Sequence, residues 1–499
     1  MFRVFGPPGT GKTTRLLNMV DEALAQGIPP NRIAFLAFSR KAANEAKERA
    51  VERFKLSVDD LPFFRTLHSF AYRTLAIQKH SLLQKEHFEE LGAKIGISLN
   101  VTQDMEIEDG PPVNLEHPVL SLINLSRLKK TALHTEYNIS DLDIPWHEVD
   151  YIARAYDEFK AVHGLLDYTD MLALFVKEGV EVCPEFDFCF LDEAQDLSPL
   201  QWDIAHMLDT KSNRMYVAGD DDQAIYRFSG ADVEYFQNLD TSSEVLEQSY
   251  RIPRTVHSLA ERIASRIHRR FPKVYKPRNH EGRITRLADI QELDMSEGSW
   301  LIMAQANFML SPLAVELKSH GYLFERNGSR SISEKISTAI NGWEQLRKGR
   351  EVSLPTVQAL YSYLSGNGGR VARGKKKIIA DADATFSLTE LQTDYGLLAT
   401  DDMIWHEALD KLPAMDRAYI TALLRRGEKF NAKPRIRLST IHQTKGGEAD
   451  SVVVYLDLTA AALNGPSDDL HRVFYVAVTR TKEHLYLVEP EDYTRAYDL

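Results

Sequence analysis

The sequence predicts an α/β fold built from two parallel-sheet domains, each of which carries a mainly helical insertion. Short apolar runs alternate with helical patterns in two separate parts of the chain. Runs of this kind are typical of strands that are buried on both faces of a parallel sheet. The chain of 499 residues is also long for a single hydrophobic core, because a domain averages roughly 150 residues.

The first domain is expected at residues 1–75 and 166–242, with its insertion at 76–165. Its predicted strands are the apolar runs at residues 2–5, 32–38, 186–191 and 215–218, and a helix is predicted from 41 to 54. Asp192 directly follows the third run, and Gly219 and Asp220 follow the fourth. Functional residues of parallel sheets lie at the carboxyl ends of the strands, so these positions are candidates for a site.

The second domain is expected at residues 243–335 and 435–499, with an insertion at 336–434. Its predicted strands are the apolar runs at 300–303, 451–456 and 484–488, and it has no phosphate-binding loop of its own. Within its insertion, residues 366–377 are rich in glycine, lysine and arginine, which predicts a flexible basic loop or hairpin. Two interpretations stay open for this loop: contact with a nucleic-acid backbone, or simple exposure to solvent.

The amino-acid composition indicates the class of protein and the cellular compartment in which it is expected. Hydrophobic residues make up 43% of the chain and charged residues 26%, which is typical of a globular protein. No apolar run reaches about 18 residues, so no membrane span is expected. A glycine-rich motif begins at residue 6, so no targeting peptide is expected before it. The presence of only two cysteines, Cys183 and Cys189, favours the reducing cytoplasm.

The net charge of −12 argues weakly against a nucleic-acid partner, because phosphate binding depends on lysine and arginine. A protein with acidic outer faces can still bind nucleic acid in a locally basic groove. Net charge therefore does not decide the function.

Residues 6–13 match the phosphate-loop pattern G-x-x-x-x-G-K-[ST] between a predicted strand and a predicted helix. In this context backbone N–H groups and the helix N-terminus bind phosphate. Lys12 would reach the β and γ phosphates, and the Thr13 hydroxyl would hold Mg²⁺. The predicted nucleotide-binding residues are Gly6, Pro7, Pro8, Gly9, Thr10, Gly11, Lys12, Thr13 and Thr14.

An acidic pair follows the third apolar run. Asp192 is predicted to be a second Mg²⁺ ligand, because hard cations prefer oxygen. The adjacent Glu193 is predicted to polarise the attacking water. The alternative is a solvated helix start, which also favours Asp and Glu, but a phosphate loop in the same domain favours the catalytic interpretation.

Further segments accompany these motifs in a fixed order: FSRKAA at 38–43, TLHSF at 66–70, GDDDQAIYRFSGA at 219–231, EQSYR at 247–251, STIHQTKGGE at 439–448 and YVAVTR at 475–480. Together with DEAQD at 192–196, they resemble the ordered motifs of superfamily 1 DNA helicases of the UvrD/Rep/PcrA type.

This resemblance implies two RecA-like domains, ATP and Mg²⁺ as cofactors, and translocation on single-stranded DNA from 3′ to 5′. It also implies roles for individual residues. Gln223 would contact the γ-phosphate or the attacking water, Arg251 and Arg480 would act as arginine fingers, Tyr250 would stack on adenine, and Glu448 would bind the ribose. The alternatives are a polar turn for Gln223, structural ion pairs for the arginines, core packing for Tyr250 and simple exposure for Glu448.

The resemblance also implies a track for DNA. Bases would stack on aromatic and imidazole rings, and hydroxyl and imidazole groups would bind phosphates. The stacking candidates are Phe38, His68, Tyr226 and Phe228, and the phosphate candidates are Ser39, Thr66, Thr440 and His442. Phe228 and Ser229 stand where the family usually has Trp and Arg, which suggests weaker binding to DNA.

The sequence therefore favours an ATP-dependent DNA helicase that acts on single strands and on junctions of single and double strands. Two alternatives remain open. One is a DNA-dependent regulatory ATPase that does not unwind, which the short insertions and the altered DNA contacts motivate. The other is an RNA helicase.

Overall fold

The computed structural model describes residues 1–38, 40–99, 101–102, 114–115, 117–378, 381–490 and 492–499. The chain forms two compact units, residues 1–282 with 461–480, and residues 283–460 with 481–499. Each unit is built on its own mainly parallel sheet, which confirms the α/β fold class. Residues 243–282 and 461–480, which the sequence analysis assigned to the second domain, pack in the first unit. The division into four segments stays a prediction.

The first unit contains a six-stranded sheet in the order β3-β2-β4-β5-β1-β6, and all neighbouring strands are parallel. The four runs predicted from the sequence are its β1, β2, β4 and β5. The strands are β1 Phe2–Phe5, β2 Ile33–Ala37, β3 Phe64–Thr66, β4 Phe186–Asp192, β5 Ser212–Gly219 and β6 Ser243–Val245.

The central strands of this sheet are buried on both faces. Phe35 and Phe190 belong to one apolar core, whereas Leu36 and Leu191, their neighbours in sequence, belong to the core on the opposite face. This alternation follows from the pleat of a strand, which turns successive side chains to opposite faces. Continuous apolar runs are therefore what a sheet with two covered faces requires.

Both cysteines lie in this buried region. Cys189 is on β4, and Cys183 ends the helix before that strand. Both are free thiols. Burial raises the pKa of Cys183 to about 11 and raises that of Cys189 further.

Helices cover the sheet and form the region between β3 and β4, where Phe88, Ile123 and Phe159 help to build a separate core. A short strand pair, Val101–Thr102 with Asn114–Leu115, adjoins these helices. The helices of the first unit are Lys12–Ala25, Arg40–Phe54, Leu67–Thr74, Lys85–Ile95, Pro118–Leu128, Leu133–Ile139, Trp146–His163, Tyr168–Val182, Pro199–Thr210, Val233–Gln237, Arg254–Ala264 and Ser467–Val478.

The second unit contains a seven-stranded sheet in the order β10-β9-β11-β8-β12-β13-β7. Its neighbours are parallel except for the pair β9 and β10. The strands are β7 Arg283–Leu287, β8 Trp300–Ala304, β9 Phe324–Arg326, β10 Ser329–Arg330, β11 Ile436–Thr440, β12 Ala449–Tyr455 and β13 Thr481–Val488.

The region between β10 and β11 is mainly helical and packs around the fully buried Trp343. It also contains the short strand pair Val352–Ser353 with Thr385–Phe386. The helices of the second unit are Leu310–Ser319, Glu334–Arg347, Leu354–Ser362, Leu388–Thr393, Trp405–Ala408 and Ala414–Arg425, and the helix Ala460–Asn464 spans the boundary of the two units in sequence. Among the described residues, no helix has the length and apolar character needed to cross a bilayer.

A buried ion cluster joins three helices of the first unit. Asp167 caps the helix Tyr168–Val182. Its Oδ2 atom lies 2.5 Å from Arg127 Nη1 and 2.9 Å from Lys160 Nζ. Burial opposes ionisation of Asp167, but the charges of Arg127 and Lys160 outweigh it and hold its pKa well below the usual range. The carboxylate therefore stabilises the fold at neutral pH.

We expect Asp167→Asn to lower the free energy of unfolding by about 1.5–3 kcal/mol, because Arg127 and Lys160 lose one of their two shared carboxylates and keep only Asp170. Urea denaturation at neutral pH measures this effect. Since the native pKa of Asp167 is lowered, its contribution is present at neutral pH and is lost as the pH falls below about 4. The difference between variant and wild type should therefore shrink in acid.

Asp157→Asn is the matched control, because Asp157 also pairs with Lys160, at 3.5 Å, but is 69% exposed. Its effect should stay below about 1 kcal/mol. Equal losses in the two variants would contradict the role given to Asp167.

Candidate functional site

The predicted phosphate loop joins the end of β1 to the helix Lys12–Ala25. Gly6 N donates to Gly219 O on β5 at 2.9 Å, which fixes the start of the loop. Gly9 and Gly11 have φ angles of 72° and 80°, which glycine adopts without strain. A Cβ atom on Gly6 would lie 1.8 Å from Lys12 Cγ. The loop thus requires glycine, and it leads directly into a helix N-terminus that favours anions.

The other loop residues support this turn. Thr10 Oγ1 donates to Pro7 O at 2.7 Å, and Thr14 lies in the first turn of the helix. Lys12 Nζ donates to Gly6 O at 3.1 Å and lies 3.6 Å from Glu193 Oε1. The lysine ammonium is therefore held beside both the loop and the acidic pair, as a phosphate-binding lysine requires.

Thr13 and Asp192 converge although 179 positions separate them in sequence. Thr13 Oγ1 donates to Asp192 Oδ2 at 2.7 Å. Burial raises the pKa of Asp192 to about 6, and the neighbouring charge of Glu193 adds to the rise. A buried carboxylate and a hydroxyl at this distance are oxygen ligands of the kind that Mg²⁺ prefers, and a dication would favour the ionised form of Asp192. The residues present fit the predicted metal.

Glu193 has an unusual backbone conformation for a residue with a side chain, with a φ angle of 56°. Its Oε2 atom accepts a hydrogen bond of 2.6 Å from Gln195 Nε2, while Gln195 Oε1 accepts one of 3.0 Å from Asp220 N. The fully buried Gln195 thus joins Glu193 to the end of β5. This role of Gln195 is not predicted from the sequence, although the residue lies inside the acidic motif DEAQD at 192–196.

Gln223 and Arg480 are in direct contact. Arg480 Nη2 donates to Gln223 Oε1 at 2.6 Å, and both side chains are almost fully buried. Gln223 Nε2 donates to Asp220 Oδ2 at 2.6 Å. The structure therefore brings together Gln223, predicted to contact the γ-phosphate or the attacking water, and Arg480, one of the two predicted arginine fingers.

The segment 249–251 contacts the phosphate loop directly. Tyr250 N donates to Gly9 O, and Ser249 Oγ donates to Pro8 O, both at 2.8 Å. Arg251 is half-buried beside Gly9. The Tyr250 side chain is 74% exposed, so core packing is not its role. Glu448 lies in the second unit, where its Oε1 atom is 2.5 Å from Lys482 Nζ, and its ribose contact stays a prediction.

Three of the predicted stacking residues form a row of rings in the first unit. The Phe38 and Tyr226 ring centroids are 5.5 Å apart, and those of Tyr226 and Phe228 are 6.1 Å apart. Phe228 is 67% exposed, while the other two are half-buried. The row thus presents aromatic surface to solvent. Ser39, a predicted phosphate contact that follows Phe38 in sequence, lies outside the described residues.

The remaining DNA candidates are more buried. Thr66 Oγ1 caps the helix Leu67–Thr74 by accepting from Ser69 N at 3.2 Å. Burial lowers the pKa of His68 to about 4, so its imidazole is neutral near pH 7. In the second unit, Thr440 Oγ1 donates to Gln443 Oε1 at 3.2 Å, and burial with nearby Lys445 lowers the pKa of His442. DNA contacts of these residues stay predictions.

We expect Gly9→Ala to weaken ATP binding by about tenfold, because the new Cβ would lie 2.5 Å from Arg251 Cβ and 2.8 Å from Ser249 Oγ. The change would separate the loop from the segment 249–251. Gly27→Ala is the matched control, since Gly27 has a φ angle of 85° and nothing within 4 Å of an added Cβ. Both variants carry a strain of about 1–2 kcal/mol, but only Gly9→Ala should change nucleotide affinity in a titration. Equal affinities would contradict the tight packing.

Comparison with known proteins agrees with this geometry. The UvrD/REP helicase N-terminal domain matches residues 2–244, and the UvrD-like helicase C-terminal domain matches residues 435–488. The chain is 28% identical over 517 residues to a probable DNA helicase of Mycoplasma pneumoniae, covering 97% of this chain and 80% of that protein. It is 23% identical over 544 residues to the ATP-dependent DNA helicase UvrD2 of Mycobacterium tuberculosis, covering 97% and 76%.

The match to the ATP-dependent DNA helicase PcrA of Leuconostoc citreum is 25% identical over 358 residues and spans 66% of this chain but only 46% of that protein. The chain contains two RecA-like domains, each built on one of the two sheets, as expected for such relatives. Because the two matched domains together cover more than half of the sequence, the chain belongs to the family of UvrD-like helicases.

Proposed function

We propose that the protein is an ATP-dependent DNA helicase that binds single-stranded DNA, moves along it from 3′ to 5′ and unwinds duplex at a junction. The observation that carries this proposal is the contact of phosphate-loop, acidic and sensor residues within one unit. Thr13 meets Asp192 at 2.7 Å, and Arg480 meets Gln223 at 2.6 Å. This combination suits hydrolysis of a nucleoside triphosphate more than mere binding.

In the proposed reaction the loop N–H groups and Lys12 neutralise phosphate charge. Mg²⁺ held by Thr13 and Asp192 would supply further charge stabilisation when bound. Glu193 polarises the attacking water, and its connection through Gln195 keeps the carboxylate near the end of β5. Arg480 and Arg251 stabilise charge that develops on the phosphoryl oxygens.

One segment connects the proposed chemistry to the proposed DNA track. Gln223 lies three residues before Tyr226 and five before Phe228. The residues between them, Ala224 and Ile225, are buried and anchor the segment. A change at Gln223 on hydrolysis can therefore reach the ring row over a short, well-packed path. This link supports a motor rather than an enzyme that only hydrolyses ATP.

The ring row supports binding that does not depend on base sequence. A base stacked on an aromatic side chain contributes roughly 1–3 kcal/mol, and each base has a face that can stack. A neutral His68 would add a hydrogen bond but no charge to such a track. Exposed Phe228 would provide the outermost stacking surface.

A regulatory ATPase that binds DNA without unwinding is the second candidate. Phenylalanine at 228 offers less stacking area than the tryptophan usual in the family, and Ser229 adds no positive charge. The experiment that separates the candidates is strand displacement on duplexes with a 3′ or a 5′ single-stranded tail. Unwinding of the 3′-tailed duplex alone supports the proposal, unwinding of the 5′-tailed duplex overturns the polarity, and no unwinding of either favours the second candidate.

We expect single-stranded DNA to stimulate steady-state ATP hydrolysis by about tenfold or more, since DNA stacked on the ring row would act through the short segment 224–225 on Gln223, which contacts Arg480. Lys12→Ala should abolish hydrolysis with and without DNA. Gly27→Ala, away from the phosphate loop, serves as the control with normal stimulation. A wild-type rate indifferent to DNA would contradict the proposal, and stimulation by RNA alone would favour the RNA helicase.

The predicted basic loop offers a contact for the duplex arm of a junction. The lysine-rich end of the predicted loop 366–377, residues 372–377, lies between the buried side chains of Val371 and Ile378. Val371 pairs with Leu397 in an antiparallel bridge, which anchors one end. Four cations at this end are exposed, and none forms an ion pair with a described carboxylate, although Lys375 Nζ donates to Asp394 O at 3.1 Å: Arg373, Lys375, Lys376 and Lys377. Such unpaired charge suits a phosphate backbone.

We expect the triple change Lys375→Ala, Lys376→Ala and Lys377→Ala to weaken binding to tailed duplex and to lower its salt dependence by about one to three counterions. Fluorescence anisotropy over a salt series measures the slope. Lys348→Ala, Lys429→Ala and Lys433→Ala remove the same charge from exposed positions outside the loop. An unchanged slope, or equal slopes for both triple variants, would contradict a specific role of the loop.

A further inference from the structure

We infer that Asp220, held by Lys273, is a positioning residue that fixes the amide of Gln223 with its oxygen towards Arg480. The inference deepens the proposed function, since it concerns the geometry of the residue proposed to sense the γ-phosphate. It rests on a buried cluster whose two cations, Arg270 and Lys273, lie outside the sequence motifs.

Lys273 is at the centre of this cluster, and its side chain has no solvent exposure. Its Nζ atom lies 3.1 Å from Asp220, 2.5 Å from Asp221 and 2.8 Å from Asp222. Arg270 pairs with Asp222 through two hydrogen bonds of 3.0 and 2.6 Å. Charges this deeply buried are tolerated because they are paired. The three consecutive carboxylates are therefore locked in place by cations from one short segment.

That segment is itself fixed to the sheet. The Phe271 ring stacks on Phe5 at the end of β1, with centroids 4.0 Å apart. Phe271 N donates to Asp221 Oδ2 at 2.6 Å, and Arg472 Nε donates to Asp221 O at 3.0 Å. The cluster thus ties the start of the phosphate loop to the turn that carries Gln223. Lys273 has no freedom to leave its carboxylates without breaking this packing.

The two oxygens of Asp220 have different partners. Oδ1 faces Lys273 Nζ at 3.1 Å and accepts from Asp222 N at 3.3 Å. Oδ2 accepts from Gln223 Nε2 at 2.6 Å. Since a carboxylate only accepts, Gln223 must turn its NH₂ group towards Asp220. Its oxygen then faces Arg480, whose guanidinium only donates. Both neighbours therefore select the same one of the two amide orientations.

This orientation matters for hydrolysis. The Gln223 oxygen can accept a hydrogen bond from a guanidinium or from an attacking water, whereas the reversed amide would present N–H groups to both. A reversed amide would also place two donors face to face at 2.6 Å, the present separation of Arg480 Nη2 and Gln223 Oε1. Asp220 thus acts on the reaction through Gln223, without contacting the phosphates itself.

The test is a cycle of Asp220→Asn and Gln223→Glu. In Asp220→Asn the amide oxygen should stay towards Lys273 and Asp222 N, which both donate, so the new NH₂ group faces Gln223 and reverses its amide. We expect kcat for ATP hydrolysis to fall by about tenfold or more with the KM for ATP changed less than about threefold. In the single variant Gln223→Glu, the introduced carboxylate faces the carboxylate of Asp220. Adding Asp220→Asn to this variant should raise its kcat, because the asparagine NH₂ donates to the introduced carboxylate.

Asp222→Asn is the matched control, because it neutralises another carboxylate bonded to Lys273 while leaving the partner of Gln223 intact. Its kcat should stay within about threefold of wild type, and thermal unfolding of all variants separates loss of stability from loss of turnover. An opposite sign of the Asp220→Asn effect in the two backgrounds supports the inference. The same loss in both backgrounds, or an equal loss in Asp222→Asn, overturns it.

The cycle can be read on ATP hydrolysis with or without DNA. A wild-type enzyme that hydrolyses ATP but ignores DNA would end the helicase proposal while leaving the cycle interpretable. If DNA stimulates the wild type but Asp220→Asn has the same effect with glutamine and with glutamate at position 223, the inference about Asp220 fails and the helicase proposal stands.

Discussion

The site depends on the parallel alignment of the strands in the first sheet. In register, Phe5 lies beside Gly219, and Ala37 lies between Thr66 and Asp192. The carboxyl ends therefore meet at one edge, and segments far apart in sequence supply one site. Because both faces of the sheet are buried, a slip of one residue would turn each apolar side chain to the wrong face. The strand register that packs the core therefore also places the residues of the site.

The turn after β5 is where this constraint becomes functional. Asp220 at its start is bonded to Gln195, Gln223 and Lys273, which lie on three different segments. The same turn continues through buried Ala224 and Ile225 to the ring row of Phe38, Tyr226 and Phe228. A buried polar network that is fully satisfied is rigid. In the proposed motor, this rigidity lets a small change at the phosphates be passed on rather than absorbed.

Much of the first unit could be predicted from the sequence, because its signals are local. The phosphate loop needs glycines at fixed spacing, and Asp192 follows an unbroken apolar run, so both are visible without a fold. The central strands were predicted because burial on both faces demands continuous apolar residues. The short strands β3 and β6 were not, since three residues carry too weak a pattern.

The parts that could not be predicted depend on long-range packing. Lys273 stands 53 residues after Asp220 in a stretch without a motif, and only the fold shows that its ammonium is buried among three carboxylates. The role of Gln195 likewise needs the neighbouring strand. Thr66 illustrates a different difficulty, because a threonine before a helix serves as a cap as readily as it binds phosphate. Residue type alone cannot separate these roles.

The two native thiols have a practical consequence. Cys183 and Cys189 are 5% and 0% exposed, and burial keeps both protonated near pH 7. The thiolate is the nucleophile that attacks a thiol reagent, so neither residue competes for a maleimide in the folded protein. A single cysteine introduced at exposed Ser229, next to the aromatic row, can therefore carry a fluorophore without prior removal of the natural ones. The chain is in this sense already prepared for single-molecule observation.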